Sequence, residues 1–225
     1  ISFPVPPPTA IAGLVSAIAG VDHGANKDAS DAAFWGHMAD SRIAIGLQNR
    51  VEYYSTTINL LMFKSSNGNL GEHIQSKHQM LKAPKYRIYF QGGSLYPELK
   101  QRLEKGEFVF TPFLGVAYAI ADISYVGEFG SVEIKDEETW VDTVVPLYNG
   151  VKLDVFKGRG LHRETLPFKM NAHRELTKTV TVIYPEIESR STEAIAKTRR
   201  IWLKSRGDVD VTQVGEERVS WFGKW

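Results

Sequence analysis

The sequence predicts an α+β protein, and three observations carry that reading. A proline-led helix of small residues opens the chain, alternating apolar residues mark strands on either side of a basic and polar insertion, and beyond about residue 130 turn residues separate short β-rich runs. With 225 residues, 43% of them hydrophobic, the chain can bury one substantial core, or one domain with a smaller companion.

At the start, Pro6, Pro7 and Pro8 hold the chain extended and set φ for a first helical turn, with Thr9 placed to offer a capping oxygen. From Ala10 to Ala19, Ile11, Leu14, Val15 and Ile18 recur at core spacing while the remaining surface is alanine, glycine and one serine, so this helix is expected to be buried nearly all round. Its first amides are a place where a phosphate can dock, although a buried helix needs no such ligand. Asp28 to Met38 allows a short second helical segment. Ile43, Ile45 and Leu47 alternate as a strand that runs on through Val51 to Phe63.

A strand returns from Lys85 to Gln91. Tyr86, Ile88 and Phe90 share one face, which reads as core; Lys85, Arg87, Tyr89 and Gln91 share the other, which reads as a nucleic-acid surface. Tyr96 to Lys105 is an amphipathic helix with Leu99 and Leu103 inward, stopped by Gly106. Phe108, Phe110 and the run from Ala117 to Val126 are expected to supply further strands. The acidic stretch Glu133 to Asp142 marks a boundary, giving a first domain over 1–130 and a smaller β-rich region over 131–225. In the latter, Trp140–Leu147, Val151–Phe156 and Leu176–Tyr184 read as strands, Ile187–Lys204 as a helix of mixed charge, and Val209–Trp225 as a strand-like piece. Trp202, Trp221, Phe222 and Trp225 are expected to pack on the domain.

The net charge of +1 conceals a local concentration. Between Lys64 and Arg87 five basic residues, Lys64, Lys77, Lys82, Lys85 and Arg87, stand against Glu72 alone, a local +4 that leaves −3 for the rest. A basic segment on a nearly neutral protein suits a groove for one polyanion, and equally a solvated loop. Its centre, Ser65 to Gly71, is loop-forming, so the segment reads as a long mobile insertion. Cysteine is absent, which excludes disulfides and thiolate chemistry and accords with a cytoplasmic protein; no apolar run approaches a membrane span. The sequence carries no His-Glu-x-x-His, phosphate-binding Gly-x-x-x-x-Gly-Lys-Ser/Thr or Gly-x-Ser-x-Gly motif. His73 and His78 lack companions at ligand spacing, so neither a metal nor another cofactor is expected. Lys77-His78, with Tyr86 or Tyr89 nearby, has the residue types for metal-independent RNA cleavage, the histidine helping a 2′-hydroxyl attack and the lysine stabilising the developing charge.

Three blocks in order, Pro4-Val-Pro-Pro-Pro-Thr9, Leu81-Lys-Ala-Pro-Lys-Tyr-Arg-Ile-Tyr-Phe90 and Phe110-Thr-Pro-Phe-Leu-Gly-Val-Ala-Tyr-Ala-Ile-Ala121, resemble the Cas five family. Members are subunits of type I CRISPR surveillance (Cascade) complexes that hold the 5′ end of the guide RNA, and the motifs look most like the I-A and I-B branches. The resemblance implies a ferredoxin-like, RRM-like βαββαβ domain with a thumb insertion at about 64–84. The family's opening strand has no counterpart, so the sequence is expected to be truncated at its N-terminus. It further implies a non-catalytic cytoplasmic subunit that caps the 5′ handle of the guide RNA, bridges the large and backbone subunits, and meets target DNA indirectly. On this reading Lys64, Lys77, Lys82, Lys85 and Arg87 contact phosphates, His78 and Tyr89 stack on splayed bases, and Thr9 with the helix amides takes one more phosphate. Arg159, between two glycines, is free to approach an RNA backbone or to serve as an ordinary turn arginine. Some branches cut the guide precursor themselves, which keeps the ribonuclease alternative open, and a scaffold whose basic loop meets an acidic protein is a third.

Overall fold

The prolines at the start work as their geometry dictates. The chain enters helix α1 (Pro8–Ala19) with Pro7 as its N-cap, and Pro7 O accepts from the amides of Ala10 and Ile11 at 2.8 and 3.1 Å. Thr9 therefore sits inside the first turn and no side chain caps the helix, which corrects its expected capping role. In this computed structural model residues 2–22, 32, 34–63, 70–157, 160–187 and 199–225 are described. Within them the fold is α+β, with three helices and small antiparallel sheets.

Helix α1 buries Ile11, Ala12, Val15, Ser16 and Ile18, and only Ala10 is exposed, as its composition predicts. It closes on Gly20 at φ +81°, and a side chain there would drive into Val109, 2.7 Å from where a Cβ would stand. That close approach lets the amides of Val109 and Phe110 reach Ile18 O and Ala17 O at 3.4 and 3.1 Å, satisfying carbonyls the helix end leaves free. The expected second helix is a single turn, α2 (Phe34–His37); residues 28–31 and 33 lie outside the described residues.

Strand β1 (Ser41–Leu47) continues through residues 48–52 into β2 (Tyr53–Phe63), which pairs in antiparallel register with β3 (Leu70–Leu81); the chain then returns as β4 (Tyr86–Gly92), antiparallel to β1. Residues 70–81 are thus a strand, a correction to the mobile insertion expected there. Helix α3 (Tyr96–Lys105) follows and ends on Gly106 as predicted.

From Glu107 to Gly130 no ladder forms, and a lone bridge joins Phe113 to Ile120. The strands expected at Phe108, Phe110 and Ala117–Val126 are therefore absent, because the amides at Val109 and Phe110 are taken by α1 and no strand flanks the rest.

The remaining chain makes β5 (Ser131–Glu133), β6 (Thr139–Val141), β7 (Val145–Pro146), β8 (Lys152–Leu153), β9 (Leu161–Met170), β10 (Leu176–Pro185), β11 (Ile201–Ser205), β12 (Val211–Val214) and β13 (Glu217–Ser220). They form sheets in the orders β7-β10-β9, β6-β11-β8 and β13-β12-β5. Residues 201–204, expected in a helix, are strand; residues 188–198 lie outside the described residues. β9 escaped the sequence reading because it is an edge strand of alternating charge that tolerates Pro167.

One buried cluster runs from Val5 to Trp225. Helices α1 and α3, the Ile43, Ile45 and Leu47 face of β1, Leu166 and Phe168 of β9, and Val180 and Val182 of β10 meet there around Phe222. Phe168 and Phe222 stack at 6.3 Å and 18°, both essentially fully buried. Trp221 and Trp225 are buried as expected, whereas Trp202 stays half-exposed.

Candidate nucleic-acid interface

Strands β2 and β3 form a two-stranded ribbon whose longer strand has 12 residues, about 40 Å at 3.3 Å per residue. Opposed residues in an antiparallel pair share a face. Tyr54 with Met80, Thr56 with His78, Ile58 with Ser76 and Leu60 with Ile74 make one face; Tyr53 with Leu81, Ser55 with Gln79, Thr57 with Lys77, Asn59 with Gln75 and Leu61 with His73 make the other. The first is largely apolar and the second polar around Lys77. Each side chain of 53–61 and 73–81 is exposed or half-exposed. An isolated two-stranded ribbon has no core of its own, so its intrinsic stability is low and a partner on either face stabilises it.

The ribbon is anchored at its base. Gln48 N donates to Lys85 O at 2.9 Å and Lys82 N to Glu52 O at 2.8 Å; the Asn49 side chain donates to Ala83 O at 2.7 Å and accepts from Lys85 N at 2.9 Å. Five residues, 48–52, face four, 82–85, with Pro84 at the irregularity where its missing N–H costs no ladder bond.

Lys77, Lys82 and Lys85 are exposed, and among the described residues none of the three has a carboxylate partner. Arg50 is exposed at the same base, a residue the sequence reading passed over. Lys64 and Arg159 lie outside the described residues.

Arg87 and Tyr89 are placed differently from expectation. The β4 face that reads as a nucleic-acid surface is covered by β12 and β13: Tyr89 packs with Ala44, Val219 and Trp221, and its hydroxyl is buried with no hydrogen-bond partner among the described residues. Arg87 Nη1 meets Glu217 Oε1 at 2.7 Å, and the buried Arg199 pairs with the same carboxylate. Burial pushes the Glu217 carboxyl up and the Arg199 guanidinium down, Arg87 and Asp142 respectively opposing those shifts. Arg42 follows the same pattern, its guanidinium 4.7 Å over Trp221 and paired with Asp210. The open base and stacking ring expected on this face are thus committed to holding the C-terminal hairpin.

Nor does the ribbon assemble the cleavage constellation. Lys77 and His78 are neighbours on one strand and point to opposite faces. His78 Nδ1 instead lies 3.3 Å from the Tyr118 hydroxyl. Tyr86 donates to Pro4 O at 2.8 Å, and burial raises its phenol far above the ordinary value, so it stays a protonated donor. Thr9 is half-buried in the first turn of α1, and no contact among the described residues brings it to the lysines. Among the described residues no group of three His, Asp or Glu side chains could hold a metal ion, and no helix is long and apolar enough to cross a membrane.

Beside the ribbon, residues 109–132 expose Val109, Phe110, Phe113, Tyr118, Ile120, Val126, Phe129 and Val132. Of these, Phe110, Tyr118, Ile120 and Val126 fall in the stretches expected as strands, and the exposure of the whole set marks a second apolar surface.

No family model matches this chain, and no curated protein does. Among solved structures, it is similar to the crystal structure of a CRISPR protein from Archaeoglobus fulgidus. The TM-score is 0.55 at 20% identity, over 97% of this chain and 88% of that one, a likeness of fold.

Proposed function

We propose that this chain is a non-catalytic RNA-binding subunit of a type I CRISPR effector complex, capping the 5′ handle of the guide RNA. The observation that carries the reading is the projecting ribbon, with its polar face around Lys77 and with Lys82 and Lys85 at its base, neither paired with a carboxylate among the described residues. Cations that no carboxylate among the described residues engages give phosphates a counterion-releasing surface. The fold shared with a CRISPR protein supports the same assignment. The apolar ribbon face and the exposed residues of 109–132 suit protein neighbours, which the proposal identifies as the backbone and large subunits.

The separation of Lys77 from His78 across the ribbon favours binding over cleavage. Co-expression with neighbouring subunits and a repeat array, in a host free of other CRISPR genes, tests the proposal through the RNA that co-purifies. Uniform 5′ ends that require a separate processing endonuclease, and that persist in His78→Ala, are the expected result. Uniform ends without that endonuclease would make this chain the nuclease, and no RNA would leave the scaffold for an acidic partner.

A further inference from the structure

The β6-β11-β8 sheet presents two unlike faces. Val141, Ile201 and Leu203 turn inward to a buried cluster with Leu153 against it. On the outer side Trp140 and Trp202 stand directly opposite in register, half-exposed, with rings 5.4 Å apart and inclined at 46°. Cations surround them. The Arg218 guanidinium lies 3.5 Å over Trp140 and Arg200 lies 5.2 Å from the same ring; Lys157 Nζ is 5.2 Å from Trp202. Phe156, in the turn after β8, is 89% exposed, and Lys204 Nζ is 5.6 Å from its ring.

Part of this arrangement is structural. Arg218 is fixed by a 2.7 Å bond to Thr139 Oγ1 and Arg200 leans on the buried Asp142, while Lys157 meets Glu138 at 2.5 Å. Phe156 and Lys204 have no such role. An almost fully exposed phenyl ring adds little to the core, and Lys204 has no carboxylate partner among the described residues. A pair of tryptophan rings, with an exposed phenyl and its lysine Lys204 two residues on from Trp202 along β11, is the chemistry that receives unstacked bases together with their phosphates.

We propose that this outer face binds single-stranded nucleic acid, at a site separate from the ribbon. Lys204 and Arg218, whose side chains no carboxylate among the described residues engages, favour an anion, and the rings favour one that carries flat groups. An acidic peptide would satisfy the cations and leave Phe156 in water.

Two of the chain's five tryptophans, Trp140 and Trp202, lie in the site, so intrinsic fluorescence reports on it, and the experiment titrates the full chain with a short oligothymidylate. Expected are quenching in the unaltered protein, the same quenching in Lys77→Ala/Lys82→Ala/Lys85→Ala, and about a tenfold weaker affinity in Phe156→Ala/Lys204→Ala. Both of those substitutions fall on exposed side chains that support no packing, so the fold is retained and circular dichroism confirms it. Unchanged affinity in Phe156→Ala/Lys204→Ala would overturn the proposal, as would quenching that vanishes with the ribbon lysines. Equal quenching by polyglutamate would assign the face to an acidic protein and also overturn it. Failure here leaves the ribbon's role standing, because the two sites share no residue.

Discussion

Replacing Lys77, Lys82 and Lys85 together by alanine should change how RNA binding responds to salt more tellingly than it changes affinity at any one concentration. The three ammonium groups are exposed and lack carboxylate partners among the described residues, so their removal strands no buried charge there. Lys77 and Lys82 are five positions apart, about 16 Å along an extended chain, and so contact different phosphates. Each phosphate neutralised on a single strand contributes a slope of about 0.7 in log affinity against log salt, so three contacts contribute about 2. Between about 50 and 200 mM salt that amounts to about a twentyfold fall in affinity, which the unaltered protein shows and the variant lacks. Fluorescence anisotropy of a labelled handle RNA across a salt series reads the slope directly. A slope lowered by less than about half a unit would remove these lysines from the interface and refute the ribbon as a phosphate-binding surface.

The C-terminal hairpin and the tyrosines supply further tests. Tyr89→Phe deletes a buried hydroxyl that has no partner among the described residues, so stability should hold or rise by about 1 kcal/mol, and urea denaturation showing a loss of that size would reveal a hidden hydrogen bond. Glu217→Gln takes the carboxylate from both Arg87 and Arg199 and should cost about 3 kcal/mol; a cost near zero would mean water already screens the pair. Burial raises the Tyr86 phenol, so its contribution is complete below the ordinary value of about 10 and is lost as pH climbs above it, since the unfolded chain ionises first. Stability should therefore decline above about pH 10, and less steeply in Tyr86→Phe; identical slopes would place the titration elsewhere, Tyr184, itself pushed up to about 12, being the next group to examine.

The elements that sequence reading located share a physical signature. Helix α1 is bracketed by Pro8 and Gly20, α3 by Pro97 and Gly106, and β1 and β10 carry apolar residues that are in fact buried. β3 carries no such signature, because a ribbon solvated on both faces needs no hydrophobic alternation; the regular recurrence of Gln75, Lys77 and Gln79 was the available sign. The segment 107–130 failed in the opposite sense, most of its large apolar residues being exposed while Phe108 and Ile123 alone pack on the core. Lys82 and Lys85 were legible from charge alone. The fate of Arg87 and Tyr89 was not, because Glu217, which claims Arg87, lies 130 positions further along the chain. Alternation along β4 correctly separated two faces and could not say which of them a distant hairpin would cover.

The mismatch of five residues against four at the foot of the ribbon shifts its register by one residue from that of β1 and β4. Because of it, Tyr54, Ile58 and Leu60 stand opposite Met80, Ser76 and Ile74. In the register of β1 and β4 carried on without interruption, the same three residues would face Gln79, Gln75 and His73, and Thr56 would face Lys77. Lys77 would then join Tyr54, Ile58 and Leu60 on one face, while Met80 and Ile74 would move beside Ser55, Thr57 and Asn59 on the other. A single-residue deletion within 48–52 would make the two arms equal at four residues each, keep Tyr54 opposite Met80 and so keep the ribbon's two unlike faces, and remove only the bend and added twist that the extra residue gives the ribbon where it leaves β1 and β4.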